Sequence, residues 1–147
     1  MSDEFYVARG RVFKVDGVHR AAEIAAGTRF EMGVHGPIRE YYRIDSKELP
    51  LPVDDIVAAT GGGVLGALTG ALEAREIFLS SDDITAEVEG VNEIRDRVPV
   101  LTRIRIKYML RIPAGSRAVV ERALERHGAK CPTAASLAGA VTVEWEA

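Results

Sequence analysis

Between Asp55 and Glu73 the chain has no charged residue for 17 positions, Ile56 to Leu72, and five of these are glycine. A run of this length sits near the short limit for a membrane-spanning helix. The five glycines, the acids at both ends and the lack of a second such run favour a long central helix buried in a soluble core. Pro52 fits the first turn of that helix, and Asp54 and Asp55 suit its positive end. The helix is expected to end near Arg75. Gly62, Gly66 and Gly70 share one face at a spacing of four, which predicts close packing against a neighbouring helix. Gly61-Gly62-Gly63 is not followed by the Gly-Lys-Ser/Thr of a phosphate loop.

The next clearest pattern is alternation from Val100 to Ile112. Ile104, Ile106, Tyr108 and Leu110 fall on one side, and Arg103, Arg105, Lys107 and Arg111 on the other. Period two predicts a half-buried antiparallel strand with a wet, basic face. That face is read as solvated, with an anionic partner as the alternative. Ile84 to Val91 alternates as a further strand. Residues 5–33 read as a three-stranded meander with a hairpin turn at Asp16-Gly17. Residues 34–51, with Gly36-Pro37, Asp45-Ser46 and Pro50, read as a long loop whose His35, Tyr41 and Tyr42 line a pocket or cover the sheet. After the alternating strand, Ser116 is placed to cap a helix that Gly128 ends, and Val120 and Ala123 lie on its inner face. Cys131-Pro132-Thr133 starts a short helix running to about Ala138, and Val141, Val143 and Trp145 mark a last strand. Strands in runs with helices between them predict an α+β fold in one domain over residues 1–147. A chain of 147 residues can bury about two-thirds of its unfolded surface, enough for one core.

Composition narrows the function classes. Nineteen basic against 22 acidic residues give a net charge of −3, which argues against an electrostatic nucleic-acid binder. The single cysteine, Cys131, excludes an intrachain disulfide and a Cys-rich zinc site. His19, His35 and His127 lack metal-ligand spacing, so no metal and no cofactor is expected. Met1-Ser2-Asp3-Glu4 is acidic where an export signal is basic, so a reducing, cytoplasmic setting and no membrane are expected. Cys131 is the one candidate nucleophile. At a helix start beside Lys130 it would favour the thiolate, and His127 could approach it. Against that, free cysteine is among the most buried and inert residue types.

Three stretches resemble the family of osmotically inducible protein C and the organic hydroperoxide resistance proteins (OsmC/Ohr). They are Leu51-Pro52-Val53-Asp54-Asp55 leading into the central helix, the strand Leu101-Thr102-Arg103-Ile104-Arg105-Ile106, and His127-Gly128-Ala129-Lys130-Cys131-Pro132-Thr133. The resemblance implies antiparallel sheets wrapped around the long central helix, in an intertwined homodimer whose two central helices meet near the interface. It also implies two-cysteine reduction of organic hydroperoxides. In that chemistry a peroxidatic thiolate in the central helix becomes a sulfenic acid, and a resolving cysteine closes a disulfide. Cys131 matches the resolving position. Counting from Pro52, the peroxidatic position falls on Gly63, which has no nucleophile. Val53 stands where the hydroperoxide resistance enzymes have glutamate, and Arg9 or Arg11 is the candidate for their supporting arginine.

The resulting expectation is a protein of this fold that has lost two-cysteine peroxidase activity and binds a small apolar ligand at the dimer interface. The alternative is a one-cysteine thiol peroxidase that uses Cys131 against organic hydroperoxides in oxidative-stress defence. At Gly63 the missing side chain either enlarges a pocket or is replaced by a closer helix.

Overall fold

The computed structural model describes residues 3–147, and Met1 and Ser2 of the N-terminal tetrapeptide lie outside them. The chain forms two compact units, one ending at Pro52 and the other running from Val53 to Ala147.

In the first unit β1 (Arg11–Asp16), β2 (His19–Glu23) and β3 (Arg29–Met32) form an antiparallel sheet in that order. Gly17 takes φ +57° at the β1–β2 turn, the left-handed conformation that the Asp-Gly pair provides. The meander is shorter than the sequence pattern suggests. Phe5 and Val7 precede β1 without strand pairing, and Phe5 is fully exposed. Residues 34–51 are also more ordered than a loop. They carry the short helix α1 (Gly36–Tyr41), with Pro37 in its first turn where no N–H partner is needed, and a parallel bridge between Val34 and Glu48. Tyr41 and Tyr42 meet edge to face at 5.1 Å and are both about half exposed.

The second unit is built on α2 (Pro52–Glu73), which opens at the unit boundary. It is followed by β4 (Ile84–Arg95), β5 (Val98–Leu110), α3 (Arg117–His127), α4 (Pro132–Leu137) and β6 (Thr142–Glu146). β4 and β5 form a long antiparallel hairpin that turns at Asp96 and Arg97, both at positive φ as such two-residue turns demand. The expectation of purely antiparallel sheets fails at β6, which pairs parallel to β5. A parallel neighbour needs a crossover, and the α3–α4 segment supplies it.

The core of this unit is one cluster. α2 gives Val64, Leu68 and Leu72, β5 gives Ile104, Ile106 and Tyr108, α3 gives Val120 and Ala123, and Cys131 completes it. Each fully buried aliphatic side chain contributes about 1.5–3 kcal/mol. The opposite face of β5 is less basic than its own sequence. Cross-strand register sets Glu89 and Glu144 on either side of Arg105, and Glu87 and Glu146 on either side of Lys107. Glu144 bonds Arg103 at 3.0 Å and lies 3.7 Å from Arg105. The cations therefore sit among acids from the two flanking strands.

Of the most apolar 18-residue stretch of α2, 28% is buried within the protomer. A Cβ at Gly62, Gly66 or Gly70 would meet nothing within 4 Å among the described residues. The close approach is made by Gly61 instead, where a Cβ would lie 2.5 Å from Val88 Cγ2 of β4. Ser116 precedes α3, but its hydroxyl donates to the Pro113 carbonyl at 2.6 Å and caps no helical N–H.

Candidate functional site

Cys131 occupies the N-cap of α4, and Pro132 follows in the first turn. Its Sγ accepts the Ala134 N–H at 3.4 Å, as an N-cap oxygen would. The side chain is fully buried. This is the helix start that the sequence predicts, but with the thiol turned inward.

What it turns toward is Gly63. A Cβ built on Gly63 would lie 3.0 Å from Cys131 Sγ, 3.0 Å from Thr133 Oγ1 and 3.1 Å from Thr133 Cβ. The structure therefore brings together the two positions that sequence counting pairs. The start of α4 therefore lies directly against α2 at Gly63.

The other sequence candidates divide. His127, at the end of α3, is buried, but its ring is committed elsewhere. His127 Nδ1 lies 2.6 Å from the Leu124 carbonyl, which can only accept, so Nδ1 carries the proton. Nε2 is then the acceptor for the Tyr108 hydroxyl at 2.8 Å. Burial, the larger effect, pushes the His127 pKa below its ordinary value, and the Leu124 bond opposes it. The Tyr108 phenol is pushed up, first by burial and then by the neighbouring Cys131. The result is a neutral, fully bonded pair held edge-on by Trp145, whose ring centroid lies 4.7 Å from that of His127. Gly128 makes that contact possible, since a Cβ there would lie 2.6 Å from the indole. α3 ends at His127 with Gly128 as its C-cap, as the sequence predicts, but its φ of −62° needs no glycine, and this packing is what explains the residue.

Lys130 is exposed, while the thiol beside it is buried. Arg9 lies ahead of β1 and is exposed. Arg11 is on β1 with its guanidinium 5.9 Å from the Phe13 ring centre, in a cation–π contact that Arg29 shares at 4.8 Å. Asp54 and Asp55 lie in the first turn of α2, as expected for helix-start residues. Burial, then Asp54, raises the pKa of Asp55, and its Oδ2 is buried without a hydrogen bond. Among the described residues no group of three or more His, Cys, Asp or Glu is placed to hold a metal. Sequence reasoning missed Tyr108 and Thr133 as site residues. Tyr108 was legible in part, being a polar tip on the core face of β5, which predicts a buried hydrogen-bond partner.

Fold and site together define an α+β protein in which a helix-capping thiol is sealed against a long glycine-rich helix. The family model described as OsmC-like protein matches residues 45–146, and the chain belongs to that family. No curated protein matches the sequence. Among solved structures, an OsmC-like protein of unknown function from Vibrio cholerae superposes with a TM-score of 0.79 at 11% identity, covering 97% of this chain and 99% of that one. An organic hydroperoxide resistance protein OsmC from Legionella pneumophila gives 0.70 at 14% identity, covering 97% of each chain. The organic hydroperoxide resistance protein OhrB of Bacillus subtilis gives 0.65 at 14% identity, covering 96% and 97%. At these identities the likeness is one of fold.

Proposed function

We propose that this OsmC-family protein has lost two-cysteine hydroperoxide reduction and works in the cytoplasm as a homodimer that binds a small apolar ligand where two α2 helices meet. The observation that carries the first part is Gly63 facing Cys131 Sγ at a Cβ distance of 3.0 Å. The pair geometry is kept while one sulfur is absent, and function resides in the site and not in the fold. The second part is supported by α2 itself. Its uncharged face, with Gly62, Gly66 and Gly70 exposed, is left without a neighbour in the chain. An apolar helix face of this kind calls for a cover.

A one-cysteine peroxidase is the second reading. The Ala134 N–H on Sγ favours it, and the complete burial of the thiol opposes it. The test is turnover of an organic hydroperoxide by the pure protein with a dithiol reductant, beside Cys131→Ser. No turnover above the Cys131→Ser background is expected. Turnover lost in Cys131→Ser would overturn the proposal in favour of the second reading. The apolar ligand is sought by native mass spectrometry of the purified dimer.

A further inference from the structure

Away from Gly63 and Cys131, the second unit has a groove of about 570 Å³ where α3 crosses the ends of β5 and β6. Its volume lies within the range of roughly 300–1,000 Å³ of small-molecule sites. The floor is apolar: Leu110 and Ile112 from the end of β5, Val120 and Leu124 from α3, and the indole of Trp145. The rim is acidic. Glu121 and Glu125 stand one turn apart on α3, and Glu146 closes the β6 side. The one rim cation, Arg117, is already bound to Glu121 at 3.2 Å. Glu125 and Glu146 have no ion pair among the described residues, and Lys107, the register neighbour of Glu146, makes none with it.

An apolar floor beneath two unpaired carboxylates selects for a particular chemistry. A neutral apolar molecule would gain from the floor alone, and an anion would be repelled at the rim. A hydrophobic cation gains from both, and Trp145 among the lining is the residue type that suits a cation best. We propose that this groove binds a small apolar cation of the aryl- or alkyl-ammonium class. This site is independent of the α2 interface, and either proposal can fail alone.

Trp145 is the sole tryptophan of the sequence, so intrinsic fluorescence reports on the groove without labelling. The native protein is titrated with benzyltrimethylammonium, benzyl alcohol and phenylmethanesulfonate, which share the ring and differ in charge. The expected result is a saturable Trp145 response to the cation, tighter than to the other two and weaker as salt is raised. Glu125→Gln and Glu146→Gln should each weaken cation binding about two- to fivefold, the range for exposed charge pairs. Both variants are surface changes with no effect on the core expected. Equal affinity for the three probes would overturn the proposal in favour of a merely apolar cleft. Unchanged affinity in both variants, or no saturable response to the cation, would also overturn it.

Discussion

In Gly63→Cys the new thiol should form a disulfide with Cys131 without rearrangement of the fold. In a disulfide, S–S and C–S bonds of about 2.04 and 1.8 Å at an angle of about 104° place one Cβ roughly 3.0 Å from the opposite sulfur. The Cβ position at Gly63 already lies 3.0 Å from Cys131 Sγ. That distance is too short for an unbonded contact and right for a bonded one. The strain falls on Thr133, whose Oγ1 and Cβ at 3.0 and 3.1 Å must shift by a few tenths of an ångström. The bridge would join positions 68 residues apart. Loop-closure entropy for such a loop is worth about 4 kcal/mol, which strain at Thr133 reduces to about 2–4 kcal/mol. For a chain of this size that is a rise in Tm of roughly 5–15 °C in the oxidised form over the reduced one. The assay is thiol counting and intact mass after mild oxidation. Tm is then measured with and without reductant at one protein concentration, since any self-association also shifts it. Two free thiols persisting after oxidation would refute the geometric argument, as would an oxidised form less stable than the reduced form. If the same variant also gains hydroperoxide turnover that the parent lacks, the scaffold for the family chemistry is intact apart from its nucleophile.

Two further perturbations follow from the same geometry. A Cβ at Gly66 would meet no described atom within 4 Å, and Gly66→Leu improves helix propensity by up to about 1 kcal/mol, so the protomer should stay folded. If a second α2 covers that stripe, the variant should shift from dimer to monomer in light scattering, and a parent and variant of equal mass would sink the proposed interface. His127 predicts an acid sensitivity. Its folded pKa lies below the unfolded value of about 6.5, so its contribution to stability is present above that pH and is lost as the pH falls through and below it. Thermal unfolding between about pH 7.5 and 5 should show Tm falling with pH in the parent, with a flatter profile in His127→Gln. Identical profiles would contradict a buried neutral imidazole.

The parts of the fold that were legible in the sequence are those where one residue pattern has one physical solution. Alternation through Ile104, Ile106 and Tyr108 places these side chains on one face, and the structure buries all three. The Cys131-Pro132 step reads as a helix start because proline has no N–H to leave unpaired, and α4 begins there. The direction of β6 was not legible. Val143 and Trp145 alternate in the same way whether the strand runs with or against β5, and the α3–α4 crossover decides. The acids beside the β5 cations were not legible either, because register brings Glu87, Glu89, Glu144 and Glu146 alongside from other strands, and of these Glu144 pairs with Arg103 and Arg105.

The glycines of α2 carry the remaining lesson, because neighbouring residues of one type do different work. Helical spacing groups Gly62, Gly66 and Gly70, and a Cβ at any of them meets nothing within 4 Å among the described residues. Gly61 and Gly63 fall outside that stripe, yet they are the two that admit other elements, β4 through Val88 and α4 through Cys131 and Thr133. A Cβ at 61 or 63 therefore crowds another element of the protomer, while one at 62, 66 or 70 meets no described atom within 4 Å. Gly61→Ala, with a Cβ 2.5 Å from Val88 Cγ2, belongs to the first kind and overpacking of that order costs about 1–3 kcal/mol. With glycine at 63 the start of α4 lies directly on α2, and a cysteine placed there must bond to Cys131 or push it and Thr133 aside.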